Sequence, residues 1–397
     1  MCQQTTADSA APGTRVGASV GRAGRGVASL AVLLVVLLLT CSCASLLPSS
    51  AYYQHLRYGP PASPPVAAYS DVTVYFVTNR QSVDRWPYFG ADPAHDGSLA
   101  FGAMTVRVPK DRPMGGGDPF ATLLDHSGDR REARLVGEPR KIAGIDAFLA
   151  ELESAKAGKP LVVRVHGYNV DFPGSVVGTG VLVYDLGGAA VPIAFSWPAA
   201  GRFEQYVADE NNAVLSGQKF AAFLNRLQDQ ALTSARPIHV LAHSMGSRVT
   251  LYAMGSLPAK PFLRTLNFAA PDVDSIEFQT LLPPVLDKKL AARTTTYVCQ
   301  RDLALMASQR LHSRSPLGDG ERGRAGQAGR LLVPVKDVET VDVSLVELSP
   351  TFHGYAGTNR TVLFDLYLST IRDLPAEQRN LFAAEDAAHQ RFWLIRP

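Results

Sequence analysis

Ile238-His-Val-Leu-Ala-His-Ser-Met-Gly-Ser247 is the stretch on which the reading of the fold turns. Ile238–Ala242 reads as a strand, and the residues from Ser247 to Ser256 that follow it read as a helix. A chain that passes from strand to helix in so few residues has to turn sharply. The residue at the tip is forced into a strained backbone conformation and its side chain is lifted above the sheet edge. That residue is Ser244. Two residues before and two after the tip must be small so that strand and helix can approach, and here they are Ala242 and Gly246. The form is that of a nucleophile elbow.

The spacing alone does not make an elbow. Gly17-Ala-Ser-Val-Gly21 fits the strict Gly-x-Ser-x-Gly spacing better, yet no strand precedes it. Context supports Ser244, because short β-branched runs alternate with amphipathic stretches along the rest of the chain. Strands are predicted at Val72–Thr78, Ala103–Val108, Leu161–Val165, Pro192–Phe195, Ile238–Ala242, Leu263–Phe268, Thr294–Val298 and Val338–Val343. Continuous apolar runs such as Leu-Val-Val-Arg-Val are what strands covered on both faces require. Ala213–Leu227 places Leu215, Phe220, Phe223, Leu224 and Leu227 near helical spacing. The expected class is α/β, with a mainly parallel sheet flanked by helices.

A serine hydroxyl attacks well only when a base takes its proton and an acid orients the base. On a sheet of this kind the chain order is serine, then acid, then histidine. Only His312, His353 and His389 follow Ser244. His312 opens a Gly/Arg-rich run and His389 sits in a polar tail read as helical. His353 hangs in a loop just after the last strand, where the base belongs. Asp302 follows the strand Thr294–Val298 and is favoured as the acid. Asp272, with Asp274 beside it, follows the preceding strand and is the rival.

The tetrahedral intermediate needs two backbone N–H donors aimed at its oxyanion. Met245, directly after the serine, supplies one. Tyr168, in His166-Gly-Tyr-Asn169 at the end of an earlier strand, is the choice for the other, with Gly167 allowing close approach. His243 neighbours Ser244, so its side chain diverges and it cannot be the base. His166 and His239 read as core or rim histidines. Asp209-Glu210 reads as support for a helix start rather than a metal pair, since carboxylates favour that end. Ser196-Trp197-Pro198 ends a strand and either lines the pocket or packs.

Residues 1–47 carry a different signal. Val27–Leu39 is a 13-residue apolar run after Arg15, Arg22 and Arg25, the length of a signal-peptide core rather than of a membrane span. Thr40-Cys41-Ser42-Cys43-Ala44 then resembles a bacterial lipoprotein signal. Cys43 has a small residue before it and Cys41 has the apolar Leu38, so either is a candidate for lipidation. The competing reading is an uncleaved anchor running through Leu47. Both readings put the body in the cell envelope, membrane-anchored and facing the periplasm or exterior. Residues 48–70, with Pro60-Pro61 and Pro64-Pro65, read as a semi-rigid linker to a single domain over 71–397.

The net charge of +3 is too near neutral for an electrostatic nucleic-acid binder. An apolar content of 46% excludes a disordered chain. Of the four cysteines only Cys299 lies in the body, so no internal disulfide and no cysteine metal site is expected there. Residues 310–330 hold five Gly and five Arg and read as a flexible loop.

Val77-Thr-Asn-Arg80, His166-Gly-Tyr-Asn169, Ala194-Phe-Ser-Trp-Pro198, Ala242-His-Ser-Met-Gly246, Ala269-Ala-Pro-Asp-Val-Asp274, the Asp302 turn and His353-Gly-Tyr355 come in this order. Together they resemble a bacterial family of α/β-hydrolases of unknown function, grouped with esterase/lipase superfamily enzymes. The resemblance runs from about Val72 to about Arg372. It implies an α/β-hydrolase fold with Ser244, Asp302 and His353 as the triad, no metal and no cofactor, and no defined substrate. The expectation is a membrane-tethered serine hydrolase acting on a small-molecule or lipid ester. Two alternatives stand beside it: a catalytically silent envelope scaffold, and an amidase or thioesterase on the same triad.

Overall fold

A computed structural model describes residues 69–110, 112, 114–115, 133–155, 158–200, 205–231, 236–305, 308, 335–347, 353–386 and 389–396. All of them fall within one compact unit, Pro60–Pro397. The export signal, the lipidation candidates Cys41 and Cys43, most of the linker and the Gly/Arg run 310–330 lie outside the described residues.

The strands are β1 (Tyr69–Thr78), β2 (Arg80–Ser82), β3 (Phe89–Pro93), β4 (Ala100–Pro109), β5 (Arg134–Ile142), β6 (Leu161–Val165), β7 (Val191–Ser196), β8 (Ile238–His243), β9 (Leu263–Ala269), β10 (Ala291–Val298), β11 (Glu339–Asp342), β12 (Phe382–Glu385) and β13 (Arg391–Leu394). The helices are α1 (Gly144–Ser154), α2 (Phe172–Asp185), α3 (Tyr206–Ala231), α4 (Gly246–Ser256), α5 (Ser275–Asp287), α6 (Tyr355–Thr358) and α7 (Arg360–Thr370).

Eleven strands form one sheet in the order β12-β13-β11-β10-β9-β8-β6-β7-β1-β4-β5, and β2 pairs with β3 separately. From β13 to β1 every neighbouring pair is parallel. The antiparallel pairs lie at the two edges. Every residue of β7 and β8 is buried, which is why these strands carry no alternation of apolar and polar side chains. Leu161, Val163 and Val165 of β6 face a core shared with α1, α3, α4 and α5. The opposite face packs under α2 and α7. This is the α/β-hydrolase architecture that the sequence implies.

Each of the eight expected strands is present with an end shifted by three residues or fewer. Helix α3 departs from expectation in one detail. Its buried stripe runs through Ala213, Phe220, Phe223, Leu224 and Leu227, while Leu215 is 56% exposed. At 100° per residue, Leu215 lies off the stripe that the others define. The tail holding His389 is a correction, since it forms the β12–β13 hairpin and not a helix. His389 has φ 57 at its turn. Trp393 and Ile395, buried against the core under α7, hold that tail on the sheet edge and override its local helical composition.

The chain leaves β6 through α2 to reach β7 on one side, then returns through α3 to β8 on the other. The carboxyl ends of β6 and β8 therefore flank a crevice where the connections diverge, which is where ligands bind in open α/β sheets.

Candidate active site

Ser244 follows β8 with φ 52, a left-handed conformation that costs a residue with a Cβ about 1–3 kcal/mol. Its surroundings hold it there. Ser244 N donates to Ala269 O at 2.9 Å, and Ser244 O accepts from Ser247 N at 2.9 Å and from Asp272 N at 3.2 Å. The need for a small residue at 246 has a direct cause. A Cβ on Gly246 would lie 2.4 Å from His166 O and 2.7 Å from Val165 O. Helix α4 thus starts in contact with the backbone at the end of β6, and Met245, wholly buried, caps it.

The loop after β6 is pressed against the elbow. A Cβ on Gly167 would meet Ser244 Cβ at 2.8 Å and His243 Nδ1 at 3.0 Å. Tyr168 follows, then Asn169 with φ 58, a conformation asparagine tolerates better than most residues. His166 anchors the loop. Its Nε2 accepts from Trp197 N at 3.1 Å, so Nδ1 carries the proton and donates to Gly167 O at 2.8 Å. The ring stacks on Trp197 at 5.2 Å and 7°, and Trp197 Nε1 donates to His166 O at 2.8 Å. Burial, then the charge of Arg80, hold the His166 pKa well below the ordinary value, so it is a neutral structural histidine. Trp197 is wholly buried; of the two roles open to Ser196-Trp197-Pro198, its tryptophan takes the packing one.

Arg80 is the hub behind this loop. Its Nε donates to Ser196 Oγ at 3.0 Å, its Nη1 to Gly90 O at 3.0 Å and Ala199 O at 3.3 Å, and its Nη2 to Val170 O at 2.7 Å while facing His166 Nε2 at 3.5 Å. Burial lowers its pKa to about 10, which leaves it charged. One guanidinium thereby ties the exits of β1, β6 and β7 to the β2–β3 hairpin. Three segments singled out in the sequence, Val77–Arg80, His166–Asn169 and Ala194–Pro198, meet in this one network. In the sequence Arg80 is marked only as the last residue of the segment Val77–Arg80 that contributes to the family resemblance.

Asp302 lies four residues past β10 and is fully buried. Its Oδ2 is 2.7 Å from His353 Nδ1, and its Oδ1 accepts from Ala304 N at 3.1 Å and Leu305 N at 3.0 Å. The turn before it is fixed from β11. Gln300 N donates to Ser344 Oγ at 2.8 Å and Gln300 Nε2 to Asp342 Oδ2 at 2.9 Å. Burial pushes the Asp302 carboxyl up, against the pull of the imidazole beside it. For His353 burial works downward, but the adjacent Asp302 and the charges of Asp272 and Glu347 outweigh it and the pKa is raised.

The rival acids are occupied elsewhere. Asp272 Oδ2 accepts from Tyr206 OH at 2.6 Å and its Oδ1 from Ser308 Oγ at 2.8 Å. Asp274 caps α5 through Ile276 N at 2.9 Å and Glu277 N at 3.1 Å. The ring of Tyr206 also packs on that of Tyr168 at 5.1 Å. Neither Tyr206 nor Ser308 is marked by any local pattern in the sequence. His353 reaches the elbow through its neighbour, with His243 Nε2 3.2 Å from His353 O and the two rings 4.9 Å apart. Ser244 Oγ itself makes no hydrogen bond among the described residues.

The other candidates fall away from this cluster. His312 lies outside the described residues. His389 is exposed beside Glu385 on the edge hairpin. His239 is buried against Thr265 at 2.8 Å. Asp209 sits in the first turn of α3 and accepts from Ala200 N at 2.9 Å, burial raising its pKa to about 6. Glu210 pairs with Arg248 at 3.1 Å. Among the described residues there is no group of three metal-ligating side chains, and no helix is long and apolar enough to cross a membrane.

A mostly parallel sheet, a serine held at φ 52 between strand and helix, and a histidine bonded to a carboxylate beside it define an α/β hydrolase. The chain belongs to the family described as alpha/beta hydrolase of unknown function (DUF900), whose model matches residues 145–359, just over half of the chain. It is 26% identical over 132 residues to the uncharacterized protein alr1448 of Nostoc sp. (strain PCC 7120), covering 27% of this chain and 34% of that one. The chain therefore spans about a third of the length of this curated relative. Among solved structures it is similar to prolyl oligopeptidase B from Galerina marginata, with a TM-score of 0.24 and 9% identity over 75% of this chain and 31% of that one.

Proposed function

We propose that the protein is a membrane-tethered serine hydrolase that cleaves a carboxylic ester through an acyl-enzyme outside the cytoplasm. The observation that carries this reading is the 2.7 Å bond from His353 Nδ1 to Asp302, formed beside a serine held at φ 52. In this reading Ser244 Oγ attacks the carbonyl carbon and its proton passes to His353 Nε2. Asp302 keeps Nδ1–H oriented and stabilises the imidazolium. The oxyanion is held by the N–H groups of Met245 and Tyr168. The imidazolium then protonates the leaving alcohol, and a water activated by the same base releases the acid. An amide or thioester would follow the same steps, and turnover of matched acyl substrates distinguishes them.

The test is covalent labelling with a fluorophosphonate probe beside Ser244→Ala and His353→Gln, followed by ester turnover. Loss of labelling in Ser244→Ala and of turnover in His353→Gln is expected. A folded wild-type protein that takes up no probe sinks the reading. It would favour instead a silent envelope scaffold. Tethering rests on Val27–Leu39 and the cysteines after it. Palmitate incorporation that survives Cys41→Ser together with Cys43→Ser would overturn lipidation at either residue.

A further inference from the structure

His243 ends β8, directly before Ser244, and is buried. Its Nε2 lies 3.2 Å from the main-chain oxygen of His353. A carbonyl oxygen only accepts, so this nitrogen carries the proton. Burial, then the charges of His353 and Arg164, keep the ring neutral, and its Nδ1 is therefore bare. That bare nitrogen faces the loop after β6, 3.0 Å from where a Cβ on Gly167 would stand. The ring also packs against the His353 imidazole at 4.9 Å and 58°.

One imidazole thus touches the base's main chain, the base's ring and the loop that leads to Tyr168. Among the described residues, the ties that follow the base are on the four-residue α6: Gly354 O accepts from Gly357 N at 2.9 Å and Thr358 N at 3.1 Å, and Tyr355 OH donates to Tyr297 O at 2.9 Å. A bond from Asp302 to Nδ1 fixes one end of an imidazole but leaves the ring free to swing with its backbone. A second bond, on the carbonyl oxygen of the same residue, removes that freedom.

We propose that His243 is a positioning residue, whose Nε2–H holds the His353 main chain so that Asp302 and His243 together fix the imidazole with only Nε2 left for Ser244. The inference rests on the reading of Ser244 and His353 as nucleophile and base. It also accounts for the residue type. The donor must reach across from β8, fill the space beside Gly167 and stay uncharged when His353 becomes an imidazolium. A lysine or arginine would donate but repel that charge. Histidine held neutral by burial meets all three requirements.

The test compares His243→Phe, which keeps a ring and drops the donor, with His243→Gln, which keeps an uncharged N–H donor. Two readouts are taken on the full chain, with circular dichroism to confirm folding. The first is the titration of the His353 ring by nitrogen-15 NMR, which does not depend on catalysis. The charges facing that ring are Asp302, Asp272 and Glu347. Its pKa is expected to fall in His243→Phe, as the Asp302 contact loosens, and to recover in His243→Gln. The second is ester turnover, where kcat should drop about tenfold or more in His243→Phe with KM unchanged, and recover most of that loss in His243→Gln. An unchanged His353 titration in a folded His243→Phe protein overturns the proposal, as does equal damage in both variants, which would reduce His243 to packing. If Ser244→Ala leaves turnover intact, the serine hydrolase reading fails, while the NMR titration still judges the role of His243.

Discussion

Replacing Gly246 by alanine probes the close approach on which the elbow depends. The new Cβ would stand 2.4 Å from His166 O and 2.7 Å from Val165 O, whereas ordinary contact begins near 3.4 Å. Both obstacles are main chain, so nothing can rotate away. Either α4 or the end of β6 has to move by about 1 Å, an overpacking that costs roughly 1–3 kcal/mol. The movement falls on the carbonyl next to Gly167 and Tyr168, and a displacement of that size in a catalytic array costs about a hundredfold in rate. Gly255, near the other end of the same helix, is the control. Its Cβ would meet nothing within 4 Å, so Gly255→Ala should stabilise by about 0.5–1 kcal/mol through lower unfolded-state entropy and better helix propensity. Equilibrium urea denaturation and fluorophosphonate labelling rates on both variants check the pair. A Gly246→Ala protein as stable as wild type and within threefold of its labelling rate would refute the argument that this contact sets the loop.

The raised pKa of His353 fixes the direction of a pH effect. As the proposed base, His353 acts when neutral, so kcat should rise with pH through a pKa above the ordinary histidine value of about 6.5. Asp302→Asn removes the charge that raises it, so the acid limb should move down; an acid limb below 6 in wild type would contradict this. Asp302→Asn should cost about a thousandfold or more in kcat. Asp272→Asn, which alters a carboxylate already shared by Tyr206 and Ser308, should cost about tenfold or less. Equal losses would overturn the choice between the two acids. Burial pushes the Cys299 thiol up to about 12, so alkylation of the Cys299 peptide at pH 8, read by mass spectrometry, should appear only on unfolding.

The parts of the fold legible in the sequence are those whose residues state their own surroundings. Strands β6 to β10 are buried on both faces, so their composition is close to a direct record of position. Strand β5 is the opposite case. Arg-Leu-Val-Gly-Glu-Pro-Arg-Lys-Ile is mostly exposed and holds Gly137 and Pro139, residues that argue against a strand unless it lies at an edge. The free edge of β4 makes it a strand. Hairpin β12–β13 has the same origin, since an Ala- and Glu-bearing tail is drawn to β11 by Trp393 and Ile395.

The same division runs through the site. The elbow is readable because its strain demands a strand, small residues and a helix within a few positions. Chain order narrows the candidate base to His312, His353 and His389, and the strands that Asp302 and Asp272 follow make them the candidate acids. What no local pattern carries is the set of contacts that make the loops stiff. Arg80 finds Ser196 across 116 positions, Tyr206 finds Ser308 across 102, and His243 finds the carbonyl of His353 across 110. Each of these residues has an ordinary reading in its own segment: a charge at a strand end, a tyrosine opening a helix, a histidine barred from acting as base. Their partners arise only when the ends of β1, β7, β8, β10 and β11 come to one edge. In this reading a serine and a histidine from distant loops can act together only if their main chains are fixed to within a fraction of an ångström. The groups the sequence leaves silent are therefore the ones on which the rate should depend, and variants of Arg80, Tyr206 and His243 are the place to look for it.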